Sequence, residues 1–334
     1  MTIKTLGIDI AKRVFQLHGV DKRGKTVLKK RIGRDQLLSF IANLPPCLIG
    51  MESCSGSNYW ARQFQLYGHE VKLMSPQYVK PYVKTNKNDA NDAEAICEAV
   101  ARPNMRFVSI KTIEQQDIQS LHRYRQRVVQ QRTALVNQIR GLLSEYGLVA
   151  PQGIGCLREK LPQFLENQNN LLTSLALEVF CQLHQDLLEI DKKVKLLDKR
   201  IAKICSENKA CQRIKKIEGI GPLTATALVS AIGDISNFKN GRHLAAWLGL
   251  VPRQHSSGNK KVLLGISKRG DRYLRTLLIH GARAFISFAK RRSNWLEKLI
   301  ERCGKQKAYV ALANKNARIV WSLLAKQTEY HSIH

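Results

Sequence analysis

Between residues 4 and 32 the apolar positions fall in short runs, Leu6 to Ile10, Val14 to Val20 and Thr26 to Ile32, which read as three strands. Asp21-Lys-Arg-Gly24 is a polar, glycine-containing hairpin loop between the last two. The period then changes. Arg34 to Leu44 reads as an amphipathic helix stopped by Pro45-Pro46, Cys47 to Glu52 as an apolar strand, Tyr59 to Tyr67 as a helix ended by Gly68, and Glu70 to Met74 as a fifth strand. A three-strand meander followed by alternating helix and strand predicts an α/β domain in which Asp9 and Glu52 sit on neighbouring strands.

Further along, the pattern is helical. Gln115 to Tyr146 carries a packing stripe of Leu121, Val128, Leu135, Ile139 and Leu142, and Ala150-Pro-Gln-Gly-Ile-Gly155 is a natural break. Leu183, Leu187, Ile190, Val194, Leu197, Ile201 and Ile204 then alternate spacings of four and three, with mostly Asp, Glu and Lys between them. This is a heptad seam, open either to an intramolecular hairpin with the preceding Leu-rich segment or to a coiled coil with another chain. The expected domains are 1–150, 151–209 and 210–334, an α/β unit followed by all-α parts. Trp295, Tyr309 and Trp321 in the tail read as helical packing.

Charge narrows the partners. Lys and Arg outnumber Asp and Glu by 55 to 26, a formal net charge of +29, so attraction to a polyanion is the leading expectation. No apolar run is long enough to span a bilayer and the N-terminus is not a signal peptide, so no membrane partner and a cytoplasmic location are expected. The eight cysteines form no Cys-x-x-Cys pair and have no zinc-like histidine spacing, which points to reduced thiols.

Candidate chemistry begins with carboxylates. Asp9 lies inside an apolar strand and Glu52 ends another, where a charge is expensive unless something compensates it. In the stretch from Lys87 to Ala101, Asn88 is an N-cap candidate, which sets Asp89 and Asp92 three apart on one face at a helix start. Acids in a first turn also complement the helix dipole without further function. Taken together, Asp9, Glu52, Asp89 and Asp92 form a hard-oxygen cluster suited to Mg²⁺.

Basic segments supply the second theme. Arg123, Arg125, Arg127, Arg132 and Arg140 stud the helix over 115–146, either as a solvated face or as phosphate contacts to RNA or DNA. Lys216 to Leu228, with Gly219 and Gly221 in Gly-Ile-Gly-Pro, resembles the hairpin of helix-hairpin-helix modules, where a helix N-terminus holds a phosphate; a tight interhelical turn is the other reading. From Arg253 to Arg292 there are eleven Lys or Arg and one acid, Asp271, and Arg253, Lys260, Lys261, Lys268, Arg269, Arg272 and Arg275 are candidate phosphate contacts.

Gly7-Ile-Asp9, Met51-Glu52 and Asn88-Asp-Ala-Asn-Asp92 resemble the Asp, Glu, Asp, Asp set of RuvC-like domains with a ribonuclease H fold. More narrowly, they resemble the DEDD transposases that include Piv-type invertases and the bridge-RNA-guided recombinases of bacterial insertion sequences. The Ser-Gly loop at 256–258 and Gly265-Ile-Ser-Lys-Arg-Gly270 resemble the C-terminal domain of the same enzymes, so the likeness spans nearly the whole chain. It implies Mg²⁺ on the four carboxylates, double-stranded DNA as donor and target, and a bridge RNA that carries the targeting. A serine that becomes covalently joined to DNA, meeting the carboxylates of another protomer, is also implied. Because recombination joins two sites, the seam is expected to be intermolecular, in a homodimer or homotetramer.

Ser257 is the expected nucleophile, since the family's serine directly precedes a glycine; Ser256 is its neighbour, and Ser267 reads as a helix cap. The loop could alternatively clamp the DNA backbone through its hydroxyls. The reading is therefore an insertion-sequence recombinase, against a RuvC-type Mg²⁺-dependent nuclease with no covalent intermediate, or a nucleic-acid binder with a vestigial site.

Overall fold

The structure, a computed structural model, describes residues 2–84, 88–167, 172–258, 260–289 and 291–331. Lys87, Asn259 and the side chains of Lys260 and Lys261 lie outside the described residues. The chain forms two compact units, residues 1–113 with 232–239, and residues 114–231 with 240–334. The basic helix that the sequence groups with the α/β domain belongs to the second unit.

In the first unit, β1 (Thr5–Asp9), β2 (Val14–Val20), β3 (Thr26–Gly33), β4 (Leu48–Glu52), β5 (Glu70–Met74) and the short β6 (Phe107–Val108) form one sheet in the order β3-β2-β1-β4-β5-β6. The meander β1-β2-β3 is antiparallel, whereas β4 runs parallel to β1 and β5 parallel to β4. Each strand has two faces because side chains alternate. Leu6, Ile8, Phe15, Leu17, Ile49, Met51 and Leu73 point to one face and are buried with Leu37 and Ile41 of α1 (Arg34–Ala42) and Trp60 and Phe64 of α2 (Ser57–Leu66).

The opposite face is covered by α4 (Asp89–Val100), which follows the short α3 (Pro76–Val79). Ala95, Ile96, Ala99 and Val100 of α4 pack there with Met74 and Val79. The mixed α/β arrangement is consistent with a ribonuclease-H-like DEDD domain. Segment 232–239 joins this unit through Ser109, whose hydroxyl donates to the Ile232 carbonyl (3.2 Å) and accepts from Asn237 Nδ2 (2.7 Å).

Among its described residues, the second unit is helical apart from one hairpin. Its helices are α5 (Ile113–Ser144), α6 (Ile154–Glu166), α7 (Ser174–Glu207), α8 (Lys209–Lys215), α9 (Pro222–Ile232), α10 (Gly241–Trp247), α11 (Arg272–Phe288) and α12 (Asn294–Lys326). The hairpin pairs β7 (Pro252–Ser257) with β8 (Lys260–Ile266).

The heptad seam is filled within the chain. Val194 and Leu197 are buried with Val128 of α5, and Leu187 with Val136, Ile139 and Leu143 of α5. Two ion pairs one heptad apart flank it, Arg125 with Asp198 (2.5 Å) and Arg132 with Asp191 (3.2 Å), and their opposite numbering makes α5 and α7 antiparallel. This corrects the expectation that the seam faces another chain: a complementary stripe exists on α5, and a local partner meets it first. Leu142, assigned to that stripe from sequence, is 39% exposed and lies off it. Among the described residues, no helix is long and apolar enough to cross a membrane.

Candidate functional site

The acidic site is organised by two glycines. Gly7 and Gly50 are register partners on β1 and β4, on the face that meets α4. A Cβ on Gly7 would stand 2.3 Å from the Ala93 carbonyl oxygen, and one on Gly50 would stand 2.7 Å from Val100 Cβ. Missing side chains thus let α4 settle onto the strands. Asp9 and Glu52, each two residues beyond its glycine, share that face.

The start of α4 is fixed by Asn88, whose Oδ1 accepts from the backbone N–H of Ala90 (2.8 Å) and Asn91 (3.0 Å). That cap sets the first turn, from which Asp89 and Asp92 project. Carboxylate oxygens of Asp9, Asp89 and Asp92 lie within 4.8 Å of one another; Asp89 is exposed and the other two are half-buried. Glu52 stands at the same end of the adjacent strand but outside this trio. Glu94, also on α4, is engaged elsewhere: its carboxylate accepts from Lys84 Nζ at 2.7 Å, which holds it below the usual carboxylate range. Like charges this close repel unless a cation intervenes, and an all-carboxylate donor set suits a hard divalent ion, so the residues fit Mg²⁺.

Cys54, just past β4, feels the same charges. Burial raises its thiol pKa first, and the carboxylates of Glu52 and Asp9 raise it further.

In the second unit, Ser257 is exposed at the end of β7, where it pairs with Lys260 to close the hairpin. Gly258 follows with φ +55°, a left-handed turn conformation that glycine accepts without strain. The serine thus sits on a strand end at a tight turn, where the sequence suggested a loop. Ser256 differs from it, since its hydroxyl accepts from Gln254 Nε2 at 2.7 Å. Ser267 does not cap a helix: Asp271 does, accepting from the N–H of Tyr273 (2.7 Å) and Leu274 (3.1 Å).

The basic candidates divide. Arg123 and Arg127 are exposed on α5, and Arg253, Lys268, Arg269 and Arg272 are exposed around the hairpin and the start of α11. Others turn inward. Arg125 and Arg132 hold the carboxylates of α7, and Asp191, which also accepts from Arg158 (2.6 and 2.7 Å), is kept below the usual range because these guanidinium contacts outweigh its burial. Arg275 is buried and donates to the carbonyls of Leu248 and Arg269, both at 3.1 Å. It fixes the 248–271 loop, a structural task in place of the expected phosphate contact.

The two glycines of the Gly-Ile-Gly-Pro turn also differ. A Cβ on Gly219 would meet the Gly281 carbonyl oxygen at 2.8 Å, so Gly219 serves the close approach of this turn to α11, whereas Gly221 faces open space ahead of α9. Gly7 and Gly50 escaped sequence reasoning as site-forming residues. The available signal was a repeated spacing, Gly-x-Asp and Gly-x-Glu at two strand ends.

An acidic trio shared by a strand of a mixed sheet and the first turn of α4 has the character of a nucleic-acid-processing enzyme of the DEDD type. Residues 6–148 match the DEDD transposase model, and residues 211–297 match the model described as Transposase IS116/IS110/IS902 family. The chain is 50% identical to the transposase for insertion sequence element IS1111A of Coxiella burnetii, over 98% of this chain and 91% of that one. It is 39% identical to the transposase for insertion sequence element IS1328 of Yersinia enterocolitica, over 98% of each. The chain belongs to the IS116/IS110/IS902 family of transposases, and it is a DNA-processing enzyme.

Proposed function

We propose that the chain cuts and rejoins DNA through a covalent phosphoserine intermediate, with Ser257 as nucleophile and Asp9, Glu52, Asp89 and Asp92 as the Mg²⁺ ligands. The observation that carries this reading is the convergence of Asp9, Asp89 and Asp92 within 4.8 Å. Glu52 joins as the fourth ligand from the adjacent strand end. When bound, the ion supplies positive charge that holds the scissile phosphate and favours a deprotonated nucleophile.

Ser257 Oγ attacks the phosphorus of a phosphodiester. One P–O ester bond breaks as the P–Oγ bond forms, and the serine proton ends on the freed sugar oxygen. The ester energy is retained in the adduct, so attack by a new sugar hydroxyl rejoins DNA and releases the serine. Arg123, Arg127, Arg253, Lys268, Arg269 and Arg272, with Lys260, Lys261 and the start of α9 after Gly221, hold flanking phosphates in a sequence-independent way.

Targeting through a bridge RNA is part of the proposal, supported by the +29 net charge and by the family resemblance. So is a homodimer or homotetramer, whose contacts then use surfaces other than the α5–α7 seam. Incubation with labelled DNA and Mg²⁺ followed by boiling in detergent tests the reaction. A covalent protein–DNA band is expected; cleavage without one would favour the RuvC-type nuclease. A structured RNA that co-purifies with the protein would support guidance.

A further inference from the structure

The tail of the chain does more than pack. α12 is broken at Gly304 (φ +78°, ψ 162°), and its two arms, with β8 and the start of α10, enclose an open groove of about 1610 Å³ within the second unit. Among the described residues its lining holds five cations, Arg242, Arg302, Lys307, Lys315 and Arg318, and no carboxylate; none of the five is paired with an acid. Four of them are exposed.

The apolar part of the lining is aromatic and aliphatic. Trp295 is 42% exposed, with Lys315 Nζ 4.1 Å from its ring centroid, and Trp321 lies in the same wall. Leu263 and Leu264 of β8 are 67% and 40% exposed and add apolar surface to the same lining.

Cations without acids call for a polyanion, and an exposed indole beside a lysine calls for flat apolar faces between its charges. Nucleic acid combines both, but only where bases are unstacked, because a duplex hides its base faces. The floor of the groove includes Pro252 and Ile266, the paired residues at the base of the serine hairpin. Ser257 lies five residues along β7 from Pro252, roughly 17 Å at strand rise.

We infer that this groove binds an unpaired stretch of the DNA strand that Ser257 attacks, with Trp295 stacking on a base and the five cations on the flanking phosphates. The inference rests on the proposed role of Ser257 for the identity of the strand. It makes the enzyme a reader of melted DNA beside the cut, held by stacking and charge without base-edge recognition.

The test is fluorescence anisotropy on the full chain with a labelled single-stranded oligodeoxynucleotide, a blunt duplex and a single-stranded RNA of the same sequence. Trp295→Ala should weaken single-stranded DNA binding by about 5- to 10-fold, Trp295→Phe should restore most of it, and duplex binding should change by less than twofold. Lys315→Gln with Arg318→Gln should weaken the single strand and flatten its salt dependence. Unchanged single-strand affinity in Trp295→Ala, with native circular dichroism, overturns the inference. So does RNA bound more tightly than DNA with the same Trp295 dependence, or a change of mass in light scattering that assigns the groove to a second copy. Failure of the Ser257 reading shows separately, as absence of a covalent adduct while the Trp295-dependent binding persists.

Discussion

Gly7 and Gly50 face each other across β1 and β4, and together they clear the bed in which α4 lies. The obstruction at Gly7 is backbone, the Ala93 carbonyl and Cys97 N–H, which cannot rotate away, whereas at Gly50 it is the Val100 side chain. Val100 Cβ is itself fixed to the helix backbone, so both substitutions force α4 outward: Gly7→Ala should cost about 3 kcal/mol and abolish strand cleavage, and Gly50→Ala about 2 kcal/mol. Val100→Ala removes the two Cγ atoms but keeps the Cβ that stands 2.7 Å away, so it should relieve only part of the second substitution and leave the first untouched, whereas Val100→Gly clears the contact, a coupling that denaturant melts of the double mutants would measure.

Removing one member of a crowded acidic trio lowers repulsion while it weakens metal binding. Asp89→Ala and Asp9→Ala should keep the fold and lose DNA cleavage. Mg²⁺ should raise the melting temperature of the wild type and not that of Asp89→Ala, by mass action on the folded state. Equal Mg²⁺ stabilisation of both proteins in scanning fluorimetry would take the metal away from this trio.

Ser256 and Ser257 are adjacent in sequence but differ in engagement, because Ser256 receives the Gln254 side-chain amide. Ser257→Ala should abolish the covalent DNA adduct with DNA binding retained, and Ser256→Ala should keep it. Denaturing gels of reactions with labelled DNA read the outcome. The opposite pattern moves the nucleophile by one residue, and an adduct that survives both changes excludes the hairpin.

A seam filled within the chain changes what its disruption does. Leu187 and Val194 are buried against α5 and its neighbours, so Leu187→Asp with Val194→Asp should lower stability by more than about 4 kcal/mol. Circular dichroism melts should show the loss in the monomer. A protein that keeps its melting temperature but halves its mass in light scattering would return the seam to the subunit interface.

His122 of α5 lies between the Thr226 hydroxyl (2.9 Å) and Tyr273 Oη (3.0 Å). Burial, and then Arg125, lower its pKa from 6.5 to about 4. The unfolded chain takes up this proton below pH 6.5 and the folded chain only near 4, so this contribution is complete above 6.5 and is lost as pH falls through that window. It amounts to about 3 kcal/mol at most. Chemical melts at pH 7.5 and 4.5 should show a smaller acid loss in His122→Gln than in the wild type.

Much of this was legible because local signals agreed with one another. The strand and helix bounds through Met74 follow from apolar runs punctuated by Pro45-Pro46 and Gly68, and the Asn88 cap follows from its spacing to Asp89 and Asp92. What could not be read was pairing at a distance. Periodicity shows that Leu187 and Val194 need a partner, but not that the stripe running from Leu121 through Val128 supplies it. Likewise an arginine reads as charge whether it faces solvent, as Arg123 does, or donates inward to carbonyls, as Arg275 does. Trp295 carried the residue type of a packing aromatic, and only the break at Gly304 reveals the groove it borders.

The antiparallel pairing of α5 and α7 has a metrical consequence. Their 32 and 34 residues correspond to rods of roughly 48 and 51 Å at helical rise. Clasped side by side by apolar contacts and two ion pairs, the two rods have nearly the same length. Laid along a duplex it equals about fourteen base-pair steps at ~3.4 Å each. The strut is thus a span whose length is set by the protein's own backbone.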